Sequence, residues 1–392
     1  MLTKLHIDNL KCFKEFSLRL APLTLLTGFN AAGKSTSIQS LLLLAQALRG
    51  GPRNWKIPLN GELVQLGTPG DALHDGAAGE LVIGIETDKV RLAWSLTAED
   101  RSQSHSMTVS HIQWQSDIDH GIYIRDNELL DGILPRAADK GIKSVTDVIA
   151  NTIYISAIRS GPDDVYPIPT SPEPIPADVG VRGEYSAWWI ERMGEDDIDT
   201  KRFHPSEVAT IFRRQLNAWA GTLFPGAQVN ATRIPNTQFC QLALRNHESD
   251  KWRKPSNIGY GLTYALPILV AGLIARPGQI LVIDSPEAHL HPMGQSQMGR
   301  FLAMVAASGV QVIVETHSDH VLNGMRLAVF EKKLIPEQVA VHFFNSRPRE
   351  ADEHAHVISP RLDIKGNLSE WPGGFFDQAE NDLTILAGWG QV

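Results

Sequence analysis

Cysteine is scarce in this chain: Cys12 and Cys240 are its only two among 392 residues. Two thiols cannot build a disulfide framework, and these two stand in no metal-ligand spacing, which suits a reducing compartment. Long apolar runs are missing as well. The longest, residues 41–48 and 264–275, fall short of the roughly 20 residues that a membrane helix needs. The opening residues lack the basic, apolar and small-residue blocks of a secretory signal. A cytoplasmic protein with no membrane segment is therefore expected. No internal repeat stands out, and no heptad seam is long enough for coiled-coil arms. Positive charge is in deficit, with 36 Lys and Arg against 44 Asp and Glu, a net charge of −8. Any contact with DNA or RNA must then come from a local patch, because the whole-molecule field repels phosphates. The one dense basic cluster, Lys251, Arg253 and Lys254 around Trp252, reads as a solvated loop.

What is present is ordinary globular material: 43% hydrophobic and 20% charged residues, enough for two domains or one large composite. Residues 2–8 alternate apolar and polar and residues 16–27 run into an apolar strand, so a β-hairpin leading to a buried strand is expected. A helix follows from Lys34 to Leu48 and stops at Gly50, Gly51 and Pro52. Between about 60 and 255 the texture turns to short alternating runs and a Pro-rich stretch from 162 to 176. This region reads as an insertion, with a helix over 206–223 marked by Val208, Ile211, Leu216, Trp219 and Leu223, and a strand over 238–244. From there strands and helices alternate: helix 262–275, strand 279–284, helix 293–307, strand 310–315, helix 319–330. Strands spaced by helices imply a parallel sheet.

Gly28 to Ser35 (GFNAAGKS) fits G-x-x-x-x-G-K-[ST] between an expected strand and an expected helix, which is the context that a phosphate-binding loop requires. Its glycines allow backbone N–H groups to face phosphates, and the following helix N-terminus adds partial positive charge. Nucleotide therefore falls to Asn30, Ala31, Ala32, Gly33, Lys34, Ser35 and Thr36. Lys34 reaches the β- and γ-phosphates and the Ser35 hydroxyl serves Mg²⁺. The apolar strand 280–284 ends in Asp284, the natural second Mg²⁺ ligand, since parallel strands gather site groups at their C-terminal ends. The strand ending at Glu315 delivers His317 to the same edge.

The segment from Asp284 to Pro292 (DSPEAHLHP), followed by Glu315 to Asp319 (ETHSD), resembles the Walker B, D-loop and switch histidine of the ABC superfamily. It is most similar to the prokaryotic AAA-like ATPases grouped with SMC, RecF and OLD proteins. Trp371 to Gln378 (WPGGFFDQ) resembles the short tail domain of one branch of that group. The resemblance covers roughly residues 1–75 and 255–392. It implies an α/β fold: a P-loop NTPase of the ABC-ATPase head type, with a mixed or parallel sheet interrupted by a large β-rich and helical insertion. The divisions are 1–60 and 256–345 for the ATPase core, 61–255 for the insertion and 346–392 for the tail. It further implies ATP and Mg²⁺ as ligands, His317 as γ-phosphate sensor, and a homodimer that sandwiches ATP between heads. The chain would then act as an ATP-hydrolysing switch or scaffold for a separate effector, in antiphage defence or DNA maintenance.

Two departures from the family pattern bear on mechanism. Ser285 stands where relatives carry the water-activating Glu, so the general base falls to Glu287 first and Glu315 second, and a non-hydrolysing ATP-dependent binding module is the alternative. The signature motif is matched loosely by residues 257–263, where Gly259, Gly261 and Thr263 precede a helix and would meet the opposite subunit's ATP. No glutamine occupies the Q-loop region after 153–155; Arg159 there is open to phosphate contact or to a surface ion pair. His289 and His291 with Asp284 and Glu287 could also be read as a metal cluster, but their place before Pro292, the start of a helix, fits a D-loop better. The residues after His317 hold no clustered acidic set with nuclease spacing, so nuclease activity is not expected.

Overall fold

The computed structural model describes residues 1–50, 55–77, 79–124, 130–131, 133–135, 138–171, 174–345, 357–376 and 378–387. In chain order the strands are β1 Lys4–Leu10, β2 Phe13–Arg19, β3 Leu23–Gly28, β4 Lys56–Pro58, β5 Leu81–Glu86, β6 Arg91–Thr97, β7 Ser106–Gln115, β8 His120–Ile124, β9 Leu130–Asp131, β10 Leu134–Pro135, β11 Ile153–Ile155, β12 Tyr166–Pro167, β13 Gln228–Arg233, β14 Phe239–Arg245, β15 Ile280–Asp284, β16 Gln311–Glu315, β17 Val339–Phe344 and β18 Val357–Ile358. The α-helices are α1 Lys34–Arg49, α2 Pro69–Ala72, α3 Lys140–Ala150, α4 Ser186–Met193, α5 Phe212–Leu223, α6 Tyr260–Ile274, α7 Pro292–Ala307, α8 Asp319–Phe330 and α9 Gln378–Leu386. No described helix is long and apolar enough to cross a membrane.

Two sheets organise the chain. The first is antiparallel, in the order β2-β1-β5-β6-β7-β4 with β8 also on β7; the second runs β11-β15-β16-β3-β17-β18 and is parallel from β11 to β17. Sequence pattern separates them. β2 alternates buried and exposed positions, as a half-solvated antiparallel strand should, whereas β15, β16 and β17 are apolar and buried almost throughout, as strands covered on both faces must be. The expected run 16–27 is therefore two strands in different sheets, with Leu20–Pro22 as the step between them.

The segment 61–255, expected as one insertion, contributes to several bodies. β5 pairs with β1 and extends the hairpin's sheet through β8, β11 forms the edge of the parallel sheet, and β12-β14-β13 make a small sheet of their own. Periodicity could not show this because pairing partners lie far apart in sequence. The expected helix over 206–223 begins at Phe212, and Val208 is 93% exposed. Buried Gln215 is the physical reason: its amide donates to the carbonyls of Glu207 and Ala209 and its oxygen accepts from His204 N–H, so the preceding loop is satisfied without helix. At the other end, residues 357–376 pack back onto the core. Buried Phe375 meets Phe343 of β17 edge-on at 5.1 Å, and the ring of Phe29, in the glycine-rich loop after β3, packs on Phe343 and against Gly374. Gly51, Pro52, Asp377 and the 346–356 part of the expected tail lie outside the described residues.

α7 and α8, which follow the two site-bearing strands, cross at a glycine pair. A methyl on Gly299 would stand 2.2 Å from the Val321 carbonyl oxygen, and one on Gly324 would stand 2.1 Å from that of Ser296. Gly299→Ala should therefore overpack this crossing and lower unfolding stability by about 1–3 kcal/mol. Urea unfolding of the variant tests this, and an unchanged midpoint would mean that the helices can separate freely.

Candidate functional site

The C-terminal ends of β3, β11, β15 and β16 meet at one edge of the parallel sheet. From β3 the chain enters the loop 28–33, curled by left-handed residues at Gly28 (φ 122°), Ala31 (58°) and Gly33 (110°). Such a curl groups backbone N–H donors into an anion-binding concavity. Gly28 is required on two counts, since a methyl there would also stand 2.1 Å from the Phe344 carbonyl oxygen. Gly33 caps α1 without any side-chain acceptor, which leaves the helix N-terminus available to an anion. Asn30, Ala31 and Ser35 are exposed at this edge, while Ala32, Lys34 and Thr36 are buried. Lys34 Nζ donates to the carbonyls of Gly28 (3.1 Å) and Phe29 (2.7 Å). Burial pushes its pKa down, against the pull of Glu315 and Asp284.

Opposite the lysine stand the acids. Asp284 ends β15 and is the direct register partner of Glu315, which ends β16. Glu315 is 6% exposed; its Oε1 accepts from the Ser35 hydroxyl at 3.0 Å, and its Oε2 is buried without a partner among the described residues. Burial, then the Asp284 charge, push its pKa up to about 7, although Ser35 and Lys34 pull the other way. Glu287 is placed differently. Its Oε2 accepts from Thr316 Oγ1 (2.7 Å) and its Oε1 from the His317 N–H (2.8 Å), so it grips the backbone of the histidine loop. His317 is exposed at this edge, its pKa lowered by burial of the ring and by Lys34.

Arg159, four residues past β11, is not a surface ion pair but a buried side chain held by backbone carbonyls. It is 1% exposed, and its guanidinium donates to the carbonyls of Asp284 and Ser285 and, at 3.4 Å, of Tyr264. Composition could not locate it; its place beyond a parallel strand pointing to the same edge was the available signal. Tyr154 of β11 is a second residue that the motifs missed. Burial and the nearby Asp284 and Glu315 charges raise its phenol pKa.

Of the signature-like residues, Gly259 caps α6 at φ 106° and Tyr260 beside it is 55% exposed. Thr263 is not available to a second subunit: it is buried, and its hydroxyl donates to the Tyr260 carbonyl one helical turn back. Gly261 faces inward too, since a methyl there would stand 2.8 Å from the Phe224 ring and 2.9 Å from the His289 carbonyl oxygen. His289 packs against Tyr264 (4.5 Å) and Tyr260 (5.8 Å), and His291 accepts from Met293 N–H at the start of α7. Both histidines thus have packing or capping partners, and among the described residues no group of three or more His, Cys, Asp or Glu is placed to hold a metal alone. In the basic cluster, Lys254 pairs with Asp164 at 2.6 Å and the Arg245 guanidinium lies 4.6 Å from the centre of the Trp252 ring.

Residues 190–323 match the protein family described as "AAA domain, putative AbiEii toxin, Type IV TA system", and residues 334–386 match "Protein of unknown function (DUF3696)". The chain is similar to an OLD nuclease of Thermus scotoductus, 22% identical over 98% of this chain and 70% of that protein. It is also similar to the Old nuclease of Escherichia phage P2, 21% identical over 89% of this chain and 63% of that one. Among solved structures it resembles the Smc head domain with an extended coiled coil bound to the C-terminal domain of ScpA from Pyrococcus furiosus. That match has a TM-score of 0.51 and 11% identity, covering 98% of this chain and 99% of that one. It speaks for the fold.

The raised Glu315 pKa carries a stability signature. The folded carboxyl holds its proton more tightly than the unfolded one, so its unfavourable burial is absent below about pH 4.5, grows as pH rises, and is complete above about pH 7. Glu315→Gln should accordingly stabilise the nucleotide-free protein at pH 8 by roughly 1–3 kcal/mol and change little at pH 4.5. Chemical unfolding at the two pH values checks this, and an equal difference at both would contradict it.

Proposed function

We propose that this chain, a P-loop ATPase of the ABC, SMC and OLD-like group, binds ATP with Mg²⁺ at the strand-end site and hydrolyses it, the nucleotide joining two copies. The observation that carries this is the opposition of Lys34, in its curled loop, to Asp284 and Glu315 in register, with one buried Glu315 oxygen unpartnered. Three carboxylates, Asp284, Glu287 and Glu315, against Lys34 and the buried Arg159 leave an excess of negative charge, which a nucleotide can join only with a cation. The donors fit Mg²⁺: Ser35 Oγ and Asp284 are hard oxygen ligands, and magnesium is usually held by one or two carboxylates together with phosphates. When bound, the ion supplies charge neutralisation and orientation of the phosphates.

The chain's own residues supply the rest. Lys34 Nζ exchanges its two carbonyl partners for phosphate oxygens, and the open α1 N-terminus receives the same anion. Water attacks the γ-phosphorus, the bond to the β–γ bridging oxygen breaks, and the water proton passes to a carboxylate. We assign that acceptor to Glu315 rather than Glu287, because Glu287 already accepts through both oxygens to hold the His317 loop, whereas Glu315 keeps one buried oxygen without a partner among the described residues. Glu315 thereby fills the role that Ser285 leaves empty. His317, tied through its N–H to Glu287, would report the γ-phosphate. In the dimer, the exposed α6 N-terminus at Gly259 and Tyr260 meets the partner's nucleotide. We further propose that the chain is a cytoplasmic switch that controls a separate effector in antiphage defence or DNA maintenance.

Phosphate release and light scattering with ATP, ADP or no nucleotide test this together. Lys34→Ala should lose tight ATP binding. Glu315→Gln should keep binding, lose about 10²- to 10⁴-fold in turnover, and accumulate an ATP-dependent dimer. Tyr260→Glu, which places a carboxylate at the α6 end without the clash that any side chain at Gly261 would bring, should not associate. Unchanged affinity in Lys34→Ala would sink the site; tight ATP binding without phosphate release would reduce the chain to an ATP-dependent binding module.

A further inference from the structure

Arg159 is a buried cation whose hydrogen bonds among the described residues all go to backbone carbonyls. Its Nη2 donates to the oxygens of Asp284 and of Ser285 (2.9 Å), its Nη1 to that of Tyr264 in α6 (3.4 Å), and its Nε has no acceptor among the described residues. Burying an arginine in this way is unfavourable unless its geometry serves something. What it holds is strained. Ser285 stands at φ 51° and His289 at φ 61°, left-handed values that non-glycine residues adopt when surrounding contacts enforce them. The carbonyl of Ser285 is fixed by Arg159 and by the Ala288 N–H, and the Ser285 N–H donates to the Glu315 carbonyl at 2.8 Å. His289 is fixed by Tyr264 and Tyr260, and its carbonyl oxygen lies against Gly261. The five-residue loop 285–289 is thus strained at both ends. Arg159 grips one end together with the α6 turn that braces the other.

We propose that Arg159 is a positioning residue that locks the 285–289 loop to α6, so that the nucleotide state sensed at Asp284 and Glu315 is transmitted to the α6 end offered to a second copy of the chain. This rests on the ATP-joined dimer proposed above. The guanidinium fork suits the role because three of its donors, in one plane, reach three carbonyls from two elements, which a lysine ammonium on a flexible stem cannot reproduce. A purely structural arginine would, by contrast, cost stability when removed and weaken every function together.

The test compares wild type, Lys34→Ala, Arg159→Met and Arg159→Lys of the full chain by three readouts: MgATP affinity at dilution where the chain is monomeric, ATP-dependent mass by light scattering, and the rate and cooperativity of phosphate release. Arg159→Met should keep monomer affinity within about threefold, lose cooperativity and ATP-dependent association, and fall by about 10²-fold in turnover. Arg159→Lys should recover part of the turnover without restoring cooperativity. If Arg159→Met does not fold, Arg159→Lys alone carries the comparison, with lost cooperativity at retained affinity as the expected result. Association and cooperativity like wild type in the Arg159 variants would overturn the proposal, as would loss of affinity in step with loss of thermal stability. A wild type that binds ATP but shows no ATP-dependent mass change would instead overturn the dimer itself.

Discussion

The register pairing of Asp284 with Glu315 is the constraint on which the site depends. Two parallel strands that end level with each other deliver two carboxylates to the same point, and a third strand beside them delivers the Lys34 loop. The protein stabilises this concentration of charge only in part. Ser35 and Lys34 offset it, but one Glu315 oxygen stays buried without a partner, and the carboxyl there releases its proton reluctantly. A site left short of hydrogen bonds and rich in acid is a poor structural solution and a suitable place for a cationic ligand with its phosphates.

From that pairing the rest follows by contact. Glu287 ties the loop after β15 to the loop after β16, through the Thr316 hydroxyl and the His317 N–H. Arg159 ties the first of them to α6, and His289 ties its far end to the same helix through Tyr260 and Tyr264. Phe29 rests on Phe343 and Gly374, so the C-terminal segment packs against the glycine-rich loop.

Ser285, directly after Asp284, has a local account here. Ser285 Oγ donates to Asp284 Oδ1 at 2.8 Å, which keeps that carboxylate oriented, while Glu315 on the next strand brings a second carboxylate to the same neighbourhood. On the mechanism proposed above, a base moved from one strand to its neighbour would need no change of fold, only a different residue at a level register.

Sequence by itself determined the local devices: the glycine-rich loop between β3 and α1, the apolar strands closing on Asp284 and Glu315, the helices α7 and α8 after them, and the short runs of the antiparallel sheet. Each is legible because its signal, a spacing or a period, lies within one stretch of chain. Tertiary structure decided everything that depends on which distant stretches lie side by side. It split the run 16–27 between two sheets, joined β5 to β1, turned Thr263 and Gly261 inward, and placed Arg159 beneath the 285–289 loop. It also distinguished two glutamates that are chemically identical in the sequence, leaving Glu287 committed to Thr316 and His317 and Glu315 with a free oxygen, because hydrogen-bond partners are assigned only when the strands have been set in register.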